Sequence, residues 1–225
     1  MRKLEKQGLY LPEFEHDNCG AGFICSLKGK KSNDIIHKAL EILDKLEHRG
    51  AVSADGKTGD GAGILIDIPH DFFTEVCPFE LPNAGDYAVG NVFLPQKENQ
   101  RDFCIATLEE NIKKQGLKLL GWRDVPVNRS VPGRIAAETE PFVKQVFIGK
   151  VDDSDDFQFN LKLFIARKVT EHTIIKSKLS QSQFFYLPSL STKIIIFKGL
   201  LVPQDISRYY QDLLDSRVVT RLALV

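Results

Sequence analysis

Cys19 stands directly before Gly20-Ala21-Gly22 in the stretch HDNCGAGFI, residues 16–24, and a thiol is one of the few side chains able to attack a carbonyl carbon. It reacts as thiolate, and with a free pKa of roughly 8.5 it needs a base or a cation beside it. No Cys-His spacing in the chain announces one. If Cys19 were the first residue of a processed chain, its own α-amino group, of pKa roughly 7.7–8.0, would lie a few ångströms from the sulfur and accept its proton. Residues 1–18 would then have to be removed. Gly20 and Gly22 suit such a site, because a backbone without Cβ atoms turns sharply and lets a substrate approach closely. The competing reading makes Cys19 a small buried side chain on a strand, and local chemistry leaves both open.

A second constellation is LEHRGAVSADGKTGDGAG, residues 46–63. His48 and Arg49 fall where a helix should end, so they suit the negative end of its dipole. Arg49 also offers a bidentate partner for a carboxylate. Gly59, Gly61 and Gly63 surround Asp60 in a loop able to wrap a ligand or cradle a phosphate. The loop lacks the Lys-Ser/Thr ending of a nucleotide-phosphate loop and runs into a strand instead of a helix, which weighs against nucleotide binding. Cys25, Cys77 and Cys104 read as core packing, and His37, His70 and Trp122 as structural residues. Four cysteines without CxxC spacing or paired histidines speak against zinc, and a disulfide framework would be unusual in a cytosolic chain of this size.

The elements that must position these residues follow from periodicity. SNDIIHKALEILDKLEHRG places Ile35, Ile36, Ala39, Leu40, Leu43 and Leu46 at helical spacing, with Ser32 or Asn33 as N-cap and Gly50 as stop. Further helices are expected over 71–76, over ENQRDFCIATLEENIKKQG through Phe103, Leu108 and Ile112, over a long segment from Asp156, and over PQDISRYYQDLL. Strands are expected within residues 19–25, which run into FICS as the chain leaves a tight turn, and at ILIDIP, YAVGNVFLP, KLLGWRDVPV, PFVKQVFIG, SQFFYLP, KIIIFKG and VVTRLALV. Strands outnumber helices and alternate with them irregularly, so the fold class is α+β.

The bulk composition narrows the partners. Of 225 residues, 30 are basic and 30 acidic, which leaves no net field to attract nucleic acid or an anionic membrane. A small neutral metabolite or another protein remains open. No window approaches the roughly 20 apolar residues of a membrane span, and the leader lacks the apolar run of about 7–15 residues that a secretory signal needs. The expectation is a soluble, cytoplasmic protein. A chain that closes on the apolar strand RLALV, with no turn or polar tail, reads as a piece of something longer.

Several stretches together carry a resemblance. CGAGFI, LEHRGAVSADGKTGDGAGILIDIP, LGWRDVPVNRS, EPFVKQVFIG, LSTKIIIFKGLL and RLALV occur in this order between Cys19 and Val225. They closely resemble the amino-terminal class II glutamine amidotransferase domain of glutamate synthase large subunits. The resemblance implies an N-terminal-nucleophile hydrolase fold, an αββα sandwich of two mainly antiparallel sheets, incomplete at its C-terminal end. It implies a propeptide over residues 1–18, the amidotransferase domain over 19–225, and Cys19 as the catalytic nucleophile that attacks L-glutamine. Arg49 maps onto the arginine lining the glutaminase site, Gly20 belongs to the same motif as the nucleophile, and Asp60 falls in a loop assigned to the site's lining.

No cofactor is implied for these residues. The resemblance implies FMN, an iron–sulfur cluster and an external electron donor, with a small electron-donor subunit as partner, for the synthase domains of the parent polypeptide, which would use the ammonia to aminate 2-oxoglutarate. In the family pattern, LALV is followed by a His-Ser-Arg-Phe-Ser-Thr-Asn element that binds glutamine and by an Asn-Gly pair that forms the oxyanion hole. Neither lies within residues 1–225. The alternative function is therefore a catalytically incomplete folding or interaction module.

Overall fold

The computed structural model describes residues 20–151 and 155–225, with Arg49 described by its backbone alone. Cys19 and the expected propeptide, residues 1–18, lie outside the described residues.

The chain opens with β1 (Phe23–Cys25) and α1 (Asp34–Lys45). Ile35, Ile36, Ala39 and Leu43 form the buried stripe of α1, as their spacing requires. Asn33 precedes the helix but does not cap it with its side chain. Its Nδ2 donates instead to the carbonyls of Asp215 and Val218, at 3.3 and 2.8 Å, tying the start of α1 to the end of the chain. Beyond α1 a 3-10 turn, Glu47–Arg49, delivers the chain to Gly50, whose N–H donates to the Glu47 carbonyl.

After the glycine-rich loop come β2 (Ala62–Asp67), α2 (His70–Val76), β3 (Tyr87–Leu94), α3 (Glu98–Lys114) and β4 (Lys118–Asp124). Then follow α4 (Arg134–Glu138), β5 (Phe142–Gly149), α5 (Asp156–Lys176), β6 (Ile194–Gly199), α6 (Ile206–Tyr209) and β7 (Leu222–Leu224).

The strands make two antiparallel sheets, one ordered β1-β7-β2-β6 and the other β3-β5-β4. In the first, β7 inserts between β1 and β2, so Ala223 pairs with Ile24 on one side and Ile66 on the other. One core joins α1 and α2 to both sheets through residues such as Ile36, Ile66, Phe73, Phe147 and Phe197. A second lies between β3 and β5 and the helices α3 and α5, around Val92, Leu108, Ile148 and Phe159. Alternation along β3 and β5 serves both: Val89 and Phe147 belong to the first core, Ala88 and Ile148 to the second. The result is the expected α+β sandwich of two antiparallel sheets. No helix among the described residues is long and apolar enough to cross a membrane.

Four expectations are corrected. SQFFYLP is not a strand: it holds a 3-10 turn, Ser182–Phe184, and a single bridge from Tyr186 to Phe93. PQDISRYYQDLL is broken into a 3-10 turn Pro203–Asp205, α6 and a second 3-10 turn Gln211–Leu214. The break falls at Tyr210, which takes an extended conformation to bridge Val127 and send its hydroxyl to the Lys198 carbonyl at 2.7 Å. Phe103 is exposed, because α3 presents Cys104, Thr107, Leu108 and Asn111 inward and Asn111 Nδ2 bonds Thr170 Oγ1 of α5 at 3.0 Å. Cys25 is exposed rather than core, since β1 is a sheet edge that turns Ile24 inward and Phe23 and Cys25 outward. The short α4 has no counterpart in the sequence expectations.

Candidate active site

The two glycines after Cys19 are explained by what lies behind them. A Cβ on Gly22 would sit 2.2 Å from Ile42 Cγ2, and one on Gly20 would sit 3.1 Å from Leu46 Cδ2. Neither has a positive φ. Glycine is needed at 22 because the entry to β1 passes close over α1, rather than because the chain turns there.

Gly20 and Ala21 open onto a cavity of about 770 Å³, within the usual range for small-molecule sites. One wall is a face of the first sheet carrying Gly63, Leu65, Ile196, Lys198 and Leu224, residues brought side by side by the pairing of Gly63 with Lys198 and of Leu65 with Ile196 and Leu224. Phe93 and Tyr186 also line the cavity, as do Pro132, Ala136, Thr139 and Glu140. Most of this surface is apolar, and the polar side chains that reach it include Asp60, Glu140, Gln183, Lys198 and the tyrosine pair Tyr209 and Tyr210.

Glu140 and Tyr209 form one polar spot. The Tyr209 hydroxyl donates to Glu140 Oε1 at 2.8 Å, while Arg129 Nε stands 3.9 Å from the same oxygen. Burial, aided by Tyr210 and Glu140, pushes the Tyr209 hydroxyl well above the usual phenol range, so it remains a donor at physiological pH. Tyr209 and Tyr210 meet edge to face at 4.8 Å. Neither tyrosine nor Glu140 stands out in the sequence: the doublet has the pattern of ordinary helix, and Glu140, just before the strand PFVKQVFIG, has no chemical signature of its own.

The glycine-rich loop is a tight hairpin. Val52 bridges Gly59, the Ser53 N–H donates to the Thr58 carbonyl at 2.8 Å, and Gly56 turns the chain with φ +69°. Gly59 packs backbone to backbone, since a Cβ there would lie 2.3 Å from the Leu201 carbonyl oxygen. Asp60, exposed at the base of the hairpin, lines the cavity and donates its N–H to the Ala51 carbonyl.

The loop also carries its own anion. Asp55 Oδ1 accepts the N–H groups of Lys57 and Thr58 at 3.1 and 2.8 Å, the donors a phosphate would use. The Thr58 hydroxyl foremost, then the N–H groups of Ile135 and Thr58, hold the Asp55 carboxyl well below the usual carboxylate range. A phosphate cradle is therefore disfavoured by occupied donors as well as by the missing Lys-Ser/Thr ending.

His48 Nδ1 lies 2.9 Å from the Lys45 carbonyl at the end of α1, in the capping role. Arg49 closes the 3-10 turn by its backbone, and its side chain, like Cys19, lies outside the described residues. Burial pushes the Cys77 and Cys104 thiols up to about 11, which leaves them almost wholly protonated and unreactive at neutral pH. Trp122 donates to Glu109 at 2.7 Å and His70 bonds the Tyr87 hydroxyl at 3.2 Å, both structural roles. Among the described residues no group of three or more His, Cys, Asp or Glu side chains is arranged to hold a metal ion.

Comparison with known proteins bears on this geometry. A sequence profile of the family "Glutamine amidotransferases class-II" matches residues 19–225. The chain is 44% identical over 221 residues to the glutamate synthase [NADPH] large chain of Bacillus subtilis, covering 97% of this chain and 14% of that protein. It is 36% identical over 229 residues to the glutamate synthase [NADH] of Saccharomyces cerevisiae, with 98% and 11% covered. To the chloroplastic ferredoxin-dependent glutamate synthase of rice it is 38% identical over 207 residues, with 88% and 12% covered. The chain thus spans only about one seventh of the length of the B. subtilis relative. With the profile matching all but its first 18 residues, the chain belongs to the class II glutamine amidotransferases, as a domain of the glutamate synthase kind.

Proposed function

We propose that this chain carries the glutaminase step of a longer, cytoplasmic, glutamate-forming enzyme. Removal of residues 1–18 frees the α-amino group of Cys19, which takes the thiol proton. The sulfur then bonds to the side-chain carboxamide carbon of L-glutamine, the carbon–nitrogen bond breaks, and the proton leaves with the nitrogen as ammonia. Water cleaves the resulting thioester, giving glutamate and restoring the thiol. Arg49 lines the site as a bidentate partner for a carboxylate, with Gly20 and Asp60 in its wall.

The observation that carries this reading is the position of Gly20. The residue bonded to Cys19 lines a largely apolar cavity together with Asp60 and a few convergent polar groups, in a chain whose family match begins at residue 19. The half-buried thiol of Cys77 and the buried thiol of Cys104 point the same way, since burial keeps both protonated and neither supplies a nucleophile.

The ammonia serves amination of 2-oxoglutarate in the remainder of the longer polypeptide, which is assigned the FMN, the iron–sulfur cluster and contact with an electron-donor subunit. The described cysteines do not fit such a cluster. Cys25 is exposed on β1, Cys77 is half-buried after α2 and Cys104 is buried in α3, with no ligand group among them.

The test is glutamine hydrolysis by the polypeptide at its native length, alongside Cys19→Ser. Loss of turnover in that variant is expected, and retained turnover overturns the proposal. Residues 1–225 alone are expected to be slower by 100-fold or more, roughly the effect of losing an oxyanion-hole donor. Equal turnover by the shorter chain would place the oxyanion donors within it.

A further inference from the structure

The hairpin at residues 51–60 and the segment that begins α4 meet at a single compact knot. Asp55 Oδ2 accepts the Thr58 hydroxyl at 2.6 Å and the N–H of Ile135 at 3.0 Å. The same Thr58 oxygen accepts the N–H of Ala136 at 3.1 Å. One hydroxyl thus donates to the hairpin's own carboxylate and accepts from a segment 78 residues away, using both of its capacities. The approach is so close that a Cβ on Gly133 would lie 2.4 Å from Thr58 Oγ1 and 2.7 Å from Asp55 Oδ2. Lys57 Nζ adds a contact to the Ser130 carbonyl at 3.3 Å.

Both segments are walls of the cavity. The hairpin leads directly into Asp60 and Gly61, and the α4 segment supplies Pro132, Ala136 and Glu140. The α4 helix has only five residues, and the hairpin, closed on itself by the Val52–Gly59 bridge and its own backbone hydrogen bonds, meets it through the contacts of Asp55 and Thr58. The distance across this part of the cavity is therefore set by what joins the two.

We infer that Asp55 and Thr58 are positioning residues, a latch that fixes the Asp60 wall of the cavity against the Glu140 wall and so sets the fit for the substrate. The functional half of this inference rests on the reading of the cavity as the glutamine site; the latch itself does not. Neither side chain is among the residues that line the cavity, so they act on substrate through Asp60 and the α4 segment. The GKTG part of the motif, which resembles a phosphate loop, is on this account a fastening.

The experiment compares Thr58→Val, Thr58→Ser and the parent, all at native polypeptide length, by amide hydrogen exchange and by glutamine kinetics. Thr58→Val is expected to speed exchange at Ile135 and Ala136 and to raise the KM for glutamine roughly tenfold with little change in kcat, about the effect of one hydrogen bond to a charged group. Thr58→Ser keeps the hydroxyl and is expected to restore both. Faster exchange with an unchanged KM overturns the positioning role. So does a loss of Tm and turnover that Thr58→Ser fails to rescue, because that would mark a merely structural residue. Unchanged exchange in Thr58→Val removes the latch itself. A parent protein without glutamine turnover removes the glutamine reading, while the exchange data still decide whether the latch exists.

Discussion

Asp212→Ala tests how the cavity's tyrosines are held in place. Asp212 lies in the 3-10 turn that follows Tyr209 and Tyr210, and its carboxylate takes Arg123 of β4 in bidentate fashion, Nη1 to Oδ2 at 2.7 Å and Nη2 to Oδ1 at 2.8 Å. The side chains are only 10% and 4% exposed. Deleting the carboxylate strands a buried guanidinium, and breaking such a pair typically costs about 3–5 kcal/mol. Gln145 Oε1 still accepts from Arg123 Nη1 at 2.8 Å, and the guanidinium rests over the Phe72 ring, so the lower end, about 3 kcal/mol, is expected. For a chain of this length that corresponds to a Tm lower by about 6–12 °C, read by thermal unfolding followed by circular dichroism. Replacing both partners with apolar residues, Arg123→Met with Asp212→Leu, should recover most of the loss, because no charge is then buried alone. A Tm lowered by less than 2 °C in Asp212→Ala, or a double variant no more stable than the single one, would mean that the buried pair does not hold this turn in place.

Three further outcomes are expected. Gly59→Ala should destabilise far more than Gly56→Ala: the first forces a Cβ against the Leu201–Val202 backbone, whereas the second, with open space around it, incurs only left-handed strain of about 1–2 kcal/mol. Comparative urea unfolding measures the difference. Thiol alkylation followed by peptide mapping should modify exposed Cys25 rapidly and leave Cys104 untouched until the protein unfolds, since burial holds the latter's pKa near 11. In acid, Asp215 contributes through its hydrogen bonds to Arg217, which lower its pKa to about 2. Its folded value lies below the unfolded value of roughly 3.9, so the stabilisation is complete above that pH and is lost as pH falls through about 2. Asp215→Asn should flatten this acid limb of a Tm-against-pH curve.

Local pattern predicts most of the sandwich. α1, α3 and α5 show themselves by period or by length, and β2, β3, β5 and β6 by dense β-branched and aromatic runs between turn residues. The sequence does not disclose which strands pair. β7 lies between β1 and β2 although about 200 residues separate Phe23 from its partner Leu224, and that choice is made by the shared core and not by any local signal. The broken helix at Tyr210 has the same origin, because a long-range bridge to Val127 outweighs local helical preference.

The candidate site is legible in part. The Cys-Gly-x-Gly stretch and the glycine-rich loop stand out by type and spacing, and Gly20 and Ala21 of the first and Asp60 to Gly63 of the second line the cavity. Asp55-x-x-Thr58 carries a recognisable side-chain-to-backbone turn signature, but its partners at Ile135 and Ala136 lie about 80 residues on and leave no local trace. Glu140 and Tyr209 could not be found that way, since their hydroxyl-to-carboxylate bond joins positions 69 residues apart.

Whether Cys19 becomes the free amino terminus and attacks glutamine is decided by treating the native-length polypeptide with a glutamine-analogue electrophile and mapping the adduct by mass spectrometry, with and without excess glutamine. One adduct is expected, on a peptide that begins at Cys19 with an unblocked α-amino group, and excess glutamine should suppress it. An adduct on exposed Cys25, or glutamine turnover by a protein that still carries residues 1–18, would contradict this role for Cys19.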